Sequence, residues 1–409
     1  MPLEPARTVA ELKELRELTG DENGAQRVAW TDTWEGAREW LRGKVGGTDA
    51  VEEIDEAGNQ WFTLAGDSER ELLLGGHIDS VPNGGWLDGC LNVMAAVEVL
   101  RRIASEGRPP LTVRVVNWAD EEGARFGRSL FGSSAAAGSM ADQDELRQRK
   151  DANGIALPDA LAEHGVDLDD AVAARTQLES AAAYLELHIE QGPVLESMDL
   201  PRGVVLGTFG VERHLITWTG QAAHAGSTPM DKRRDALAGA ARLELELREI
   251  AARVGGGAVC TCGGVVCKPG IVTSVVETAE QLLDQRHLDA SQLAELLSNA
   301  EAASRRFAAE EDVEVAWSRI WNIEPILFDD ALIELADEAI REVAGTSHRL
   351  PSGPLHDAAE VARAGIPTVM IFVQSLRGLS HTKLEDTKEE HLQMSVQALD
   401  TLASKVLTR

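Results

Sequence analysis

No apolar run in this sequence approaches the ~20 residues that a membrane-crossing helix needs, and the stretch MPLEPARTVAELKELREL lacks the apolar segment of a secretory signal. Those two absences predict a cytoplasmic protein with no membrane partner. Cysteine is scarce: Cys90, Cys260, Cys262 and Cys267 are too few to frame so long a chain with disulfides. The pair Cys260 and Cys262 lies in the alternating run AVCTCGGVVC, where buried strand thiols are a plainer reading than a zinc or redox site. Lysine is scarce beside arginine, and 68 acidic residues against 39 basic ones leave a formal charge of −29, which would repel nucleic acid and anionic lipid. An acidic surface of this kind suits a high-salt cytoplasm, where screening lengths shrink to about 3 Å at 1 M salt; a GC-rich genome would also favour Arg over Lys. Internal repeats and low-complexity tracts are absent from the sequence.

What is present exceeds one hydrophobic core, because 409 residues normally divide into domains. Helical periodicity covers residues 9–18 and 33–41, a strand is expected at 60–64, and 94–103 reads as an amphipathic helix. Residues 135–183 read as largely helical and polar, with breaks at Gly154 and Pro158. Beyond them the pattern changes to strands at 204–206 and 214–218, a helix at 235–252, strands within 259–276 and a helix at 291–309. The reading is an α/β catalytic domain, 1–209 and 324–409, into which a smaller α+β unit of βαββαβ type, 210–323, is inserted.

Chemistry concentrates where apolar strands end. The run LLLGGHIDSVPNGGWLDGCLNV places His77, Asp79 and Asp88 in a Gly-rich loop after a strand, and imidazole with carboxylate is the ligand chemistry of zinc and its first-row neighbours. Alone it could be an ordinary polar loop. Three further strands end likewise: Val113, Val115 and Val116 lead to Asp120, Glu121 and Glu122; residues 184–187 lead to His188; residues 368–373 lead through a Ser/Gly loop to His381. His77, Asp88, Glu122, His188 and His381 are too many ligands for one tetrahedral ion. They suit two ions bridged by Asp88, about 3.5–4 Å apart, with a water between them. Glu121 is then the expected general base, since neighbours at a strand end point to opposite sides. Asp79 is expected to accept the second ring N–H of His77.

At these residues the chain resembles the dinuclear-metal amidohydrolases related to aminoacylase and carboxypeptidase G, most closely the branch of N-carbamoyl-L-amino-acid, allantoate and ureidoglycolate amidohydrolases. The strings DEAGN, HIDSVPNGGWLDG, EEGARF, HIEQGPVLE, HAGSTPM, SGPLHDA and GLSH carry the resemblance over nearly the whole chain. It implies an inserted ferredoxin-like domain that makes a homodimer and moves as a lid. It also implies two divalent ions, zinc or manganese with cobalt or nickel as alternatives, on the five ligands already chosen, with Glu121 as base. His224, donated by the partner subunit, would stabilise the oxyanion; Arg286 would grip the substrate carboxylate; Gln191 and His356 would lie against the substrate. The implied substrate is a small ureido or acylamino carboxylate, with an N-acyl amidohydrolase, a dipeptidase or a non-catalytic relative as alternatives.

Departures from that resemblance cluster on specificity. Thr273 stands where the branch usually has a carboxylate-binding Asn, Pro354 and Leu355 replace two small residues, Asn92 replaces a Gly after the bridging Asp, and Gln374 replaces a Pro. Pro354 removes a backbone N–H and Leu355 adds bulk, so the pocket rim is expected to be tighter and more apolar.

Overall fold

The protein is described by a computed structural model over residues 2–140 and 142–409. The chain forms two compact units, one ending at Leu206 and resuming over Phe328–Arg409, the other Gly207–Leu327.

The larger unit is built on a mixed sheet whose four central strands run parallel in the order Thr368–Val373, Ala181–Ile189, Ser68–His77 and Leu111–Trp118. Antiparallel strands flank them: Gln60–Leu64 then Val51–Ile54 on one side, Arg202–Thr208 on the other. The central strands read as unbroken apolar runs because both faces are covered: Leu72 to Leu74, Val113, Leu185 and Val369 to Ile371 have no exposed surface. Each such side chain contributes roughly 1.5–3 kcal/mol over leaving it in water. Register sets the carboxyl ends level, with His77 opposite Trp118 and His188 opposite Phe372. The strand ends and loops that carry the candidate ligands therefore converge at one end of the sheet.

The helix Cys90–Glu106 packs on these strands and is buried at every residue from Cys90 to Arg101, so it is not the amphipathic helix its sequence suggested. Its two buried charges are matched: Arg7 forks onto Glu98 at 2.8 Å, and Arg101 reaches Glu11 at 2.9 Å. Asn92 fits because Gly76 leaves room, a Cβ there lying 2.4 Å from the Asn92 amide. Residues 135–183 also depart from expectation. Their described residues form the short helices Phe131–Ala137, Gln143–Arg147 and Leu157–Glu163, a 3-10 turn at Ala171–Leu178 and the start of strand Ala181–Ile189, and bury Leu157, Leu161, Val166, Leu168 and Leu178. A thin apolar stripe was hidden by polar neighbours.

The smaller unit runs Gly210–Thr219, Ala236–Val254, Val259–Lys268, Thr278–His287, Ala290–Glu310, Glu314–Ile323, a βαββαβ order. Its antiparallel sheet has the third of these strands beside the first, with Val259–Lys268 and Glu314–Ile323 at the edges, as in a ferredoxin-like fold. Ile216, Trp218, Leu243, Leu247, Leu283, Leu296 and Phe307 form its core. Strand Thr278–His287 escaped the apolar pattern because two inward positions are glutamines: Gln281 accepts from Trp218 Nε1 at 3.1 Å and donates to the Ala240 carbonyl at 3.2 Å.

Candidate metal centre

His77, Asp88, Glu122, His188 and His381 come together at the carboxyl end of the parallel strands, in two groups that share Asp88. One group is His77, Asp88 and His188; the other is Asp88, Glu122 and His381, and within each the ligand atoms lie within 4.8 Å of one another. Asp88 Oδ1 lies 3.4 Å from His188 Nε2 and 3.9 Å from His77 Nε2, while Oδ2 lies 3.4 Å from His381 Nε2. His381 Nε2 is also 3.4 Å from Glu122 Oε2.

Hydrogen bonding on the far sides of the rings decides which way their lone pairs point. His188 Nδ1 is 2.8 Å from the Ile189 carbonyl and His77 Nδ1 is 3.1 Å from the Asp79 carbonyl, so both Nδ1 atoms carry the hydrogen. The Nε2 lone pair of His188 then faces Asp88 Oδ1 at 3.4 Å, acceptor against acceptor, while His77 Nε2 stands between Asp88 Oδ1 and Glu121 Oε2, and, against burial, Glu121 and Asp79 raise its proton affinity so that a proton fills the place a cation would take. A cation there removes the conflict at His188, and Glu122 Oε1, buried without a hydrogen-bond partner, is a further open ligand atom. The donor set of imidazole and carboxylate fits zinc, manganese and their neighbours. Burial pushes His188 down to about 4, which keeps the ring neutral, the form in which an imidazole can bind a cation.

Asp79 does more than orient His77. The nearer acceptor for the ring is the Asp79 carbonyl, its Oδ1 standing 3.5 Å away. The carboxylate instead accepts the backbone N–H groups of Glu121 at 3.3 Å and Glu122 at 3.2 Å, fixing the strand end that presents both. Asp120, at φ 55, sits in the left-handed region and is held by Trp30 Nε1 at 2.9 Å. DEAGN contributes through Asn59, which ties Asp55 to the Ala119 N–H and the Gly132 carbonyl. Glu121 Oε2 lies 3.8 Å from His77 Nε2; burial, with Glu122, Asp357 and Asp79 adding and His77 opposing, pushes its carboxyl well above the carboxylate range.

Several participants carried no signal in the sequence. Ser380 donates to Asp88 Oδ2 at 2.7 Å, and Glu385 accepts from the Leu87 and Asp88 N–H groups. Burial pushes Asp120, Glu186 and Glu385 up to about 8 and Asp357 to about 7. Glu186 accepts from Tyr184 Oη at 2.7 Å and from the Ala358 N–H, and Asn92 reaches it at 3.4 Å.

The expected substrate residues are placed as follows. Gln191 Nε2 donates to Asp88 Oδ2 at 2.8 Å and Ser380 Oγ at 3.1 Å, leaving Oε1 unpaired. His356 is buried against His188, ring centres 4.3 Å apart, with Nε2 unpaired. His224, Thr273 and Arg286 belong to the smaller unit. His224 is exposed; its Nδ1 accepts from Gly226 N–H at 3.0 Å, so Nε2 carries the hydrogen, and its loop is bonded to that of Thr273 through Ala225 N–H. Arg286 Nε donates to Asp284 at 2.8 Å, and Arg213 shares that carboxylate at 2.7 Å.

Residues 73–405 match the peptidase family M20/M25/M40. An N-carbamoyl-L-amino acid amidohydrolase of Geobacillus stearothermophilus is 38% identical over 323 residues, 78% of this chain and 78% of that protein. An allantoate amidohydrolase of Escherichia coli (strain K12) is 32% identical over 379 residues, 92% and 91% of the two chains. Among solved structures, an amidase of the hydantoinase/carbamoylase family from Burkholderia phymatum superposes with a TM-score of 0.87 at 31% identity, covering 100% of this chain and 98% of that one.

Proposed function

The chain belongs to the peptidase family M20/M25/M40, and from that membership we propose that it is a metal-dependent amidohydrolase cleaving the C–N bond of an N-carbamoyl amino acid or a related small ureido carboxylate. The observation that carries this reading is the division of Asp88, one oxygen toward His77 and His188 and the other toward His381 beside Glu122. Two divalent ions held by these residues, zinc or manganese with cobalt or nickel as alternatives, would polarise the substrate carbonyl and lower the pKa of a water.

The remaining work falls to the chain. Glu121, locked by Asp79 and high in proton affinity, takes the proton of the attacking water and delivers it to the leaving nitrogen. The bond from the carbamoyl carbon to the amino-acid nitrogen breaks, and the carbamic acid released falls apart to carbon dioxide and ammonia. His224 of the partner subunit, with hydrogen on Nε2, would donate to the developing oxyanion, and Gln191 Oε1 would accept from the ureido group. Arg286 would take the substrate carboxylate. Thr273, Pro354, Leu355 and His356 would set which side chain fits. The two edge strands of the smaller unit offer the surface for a homodimer formed by strand pairing.

Protein stripped of metal, reloaded with manganese or zinc, and offered N-carbamoyl, ureido and N-acetyl amino acids tests the reading. Ammonia with free amine from a carbamoyl compound is expected, and Glu121→Gln should lose about 10²–10⁴ in rate while keeping its metal. Cleavage of acyl or peptide substrates alone would move the protein to the aminoacylase or dipeptidase reading.

A further inference from the structure

Glu385 lies in the stretch KLED, four residues after His381, and is only 2% exposed. Oε1 accepts the backbone N–H groups of Leu87 at 2.9 Å and Asp88 at 3.0 Å, and Oε2 is 3.0 Å from Ser380 Oγ, which itself lies 2.7 Å from Asp88 Oδ2. One carboxyl group thus joins two loops 297 residues apart in sequence, one carrying Asp88 and the other His381. The opposing loop makes way for it: a Cβ on Gly85 would stand 2.0 Å from the Glu385 carboxyl. His381 needs such a brace, since at φ 56 it occupies the left-handed region, a conformation that persists in a non-glycine residue only where its surroundings over-determine it. Its side chain is about half exposed, so packing does little to hold the ring.

We propose that Glu385 is a positioning residue of the metal centre, holding the Asp88 main chain and the His381 loop in register so that both ligands meet the same ion. This rests on the reading of Asp88 and His381 as metal ligands. Placement of the carboxyl oxygens, rather than charge, carries the effect, because every group that Oε1 and Oε2 meet is a backbone N–H or a hydroxyl.

The test compares Glu385→Asp, Glu385→Gln and Gly85→Ala in the full chain, measuring manganese affinity of the stripped protein by competition with a chelating dye, alongside melting of the metal-free form. Glu385→Asp withdraws the oxygens by one methylene, and Gly85→Ala pushes them aside; each should weaken binding of one ion about 10–100-fold, the usual cost of losing a partner behind a ligand. Glu385→Gln can still accept from both N–H groups and donate to Ser380 Oγ, so it should stay within about threefold of the parent. Unchanged affinity in Glu385→Asp and Gly85→Ala, or a lowered melting temperature alone, would overturn the proposal. So would Glu385→Gln as weak as Glu385→Asp, which would make charge the cause. A parent protein that binds no manganese or zinc would instead overturn the metal reading.

Discussion

A carboxylate that serves two ions must present its oxygens in two directions, and Asp88 does so because Gln191, Ser380 and its own N–H, bonded to Glu385, fix it from three sides. Removing it should therefore cost both ions, whereas removing Glu122 should cost one. Elemental analysis after dialysis is expected to find no metal in Asp88→Ala and about one ion per chain in Glu122→Ala; two ions retained in Asp88→Ala would remove the bridge. The grouping of the five candidate ligands was legible because each stands at, or in a loop just beyond, the carboxyl end of an apolar strand. Glu385 was not, since KLED has the composition of a solvated acidic turn, and only the fold shows its carboxyl buried. Asp79 was legible as a partner of His77 but not as the acceptor that holds Glu121 and Glu122, because backbone contacts across strands leave no trace in residue type.

Strands and their loops place these groups, and one glycine shows how tightly. Gly89 has φ +67, and a Cβ there would lie 2.3 Å from His77 Cε1, so Gly89→Ala both strains the backbone and displaces the ring. A misplacement of about 1 Å can cost roughly 10² in rate, so Gly89→Ala should fall by that order in kcat/KM with weaker metal binding, read from steady-state kinetics and metal titration. Parent-like values for both would mean that the loop gives way at no cost. The buried parallel strands and the βαββαβ insert were readable from pattern. Between Phe131 and Leu178 helix was expected but not its division into short pieces with a buried apolar side, and the strand Thr278–His287 was missed because Gln281 and Gln285 occupy inward positions and blur the period.

At the scale of the whole molecule, the larger unit buries an excess of acid around the centre, while no helix among the described residues is long and apolar enough to cross a membrane. Without metal, Asp120, Glu186 and Glu385 at about 8 and Asp357 at about 7 bind protons that the unfolded chain, with carboxyls near 4, has released. Their contribution is complete below about pH 4 and is lost as pH rises to about 8. His77 is also raised, through Glu121 and Asp79 acting against burial, and has the same sign. His188, at about 4, opposes them only below its ordinary value of about 6.5. Between pH 6.5 and 8 the melting temperature of metal-free protein should therefore fall, and saturating manganese should shrink the fall because a cation favours the ionised carboxylates; a flat or rising melting temperature would count against this assignment. The most direct test of the dinuclear amidohydrolase account is a titration of manganese into stripped protein, with bound metal and ammonia release from an N-carbamoyl amino acid followed in the same samples. The account predicts activity that climbs to a plateau at about two ions per chain. Full activity with no bound metal, or a plateau at one ion, would contradict it.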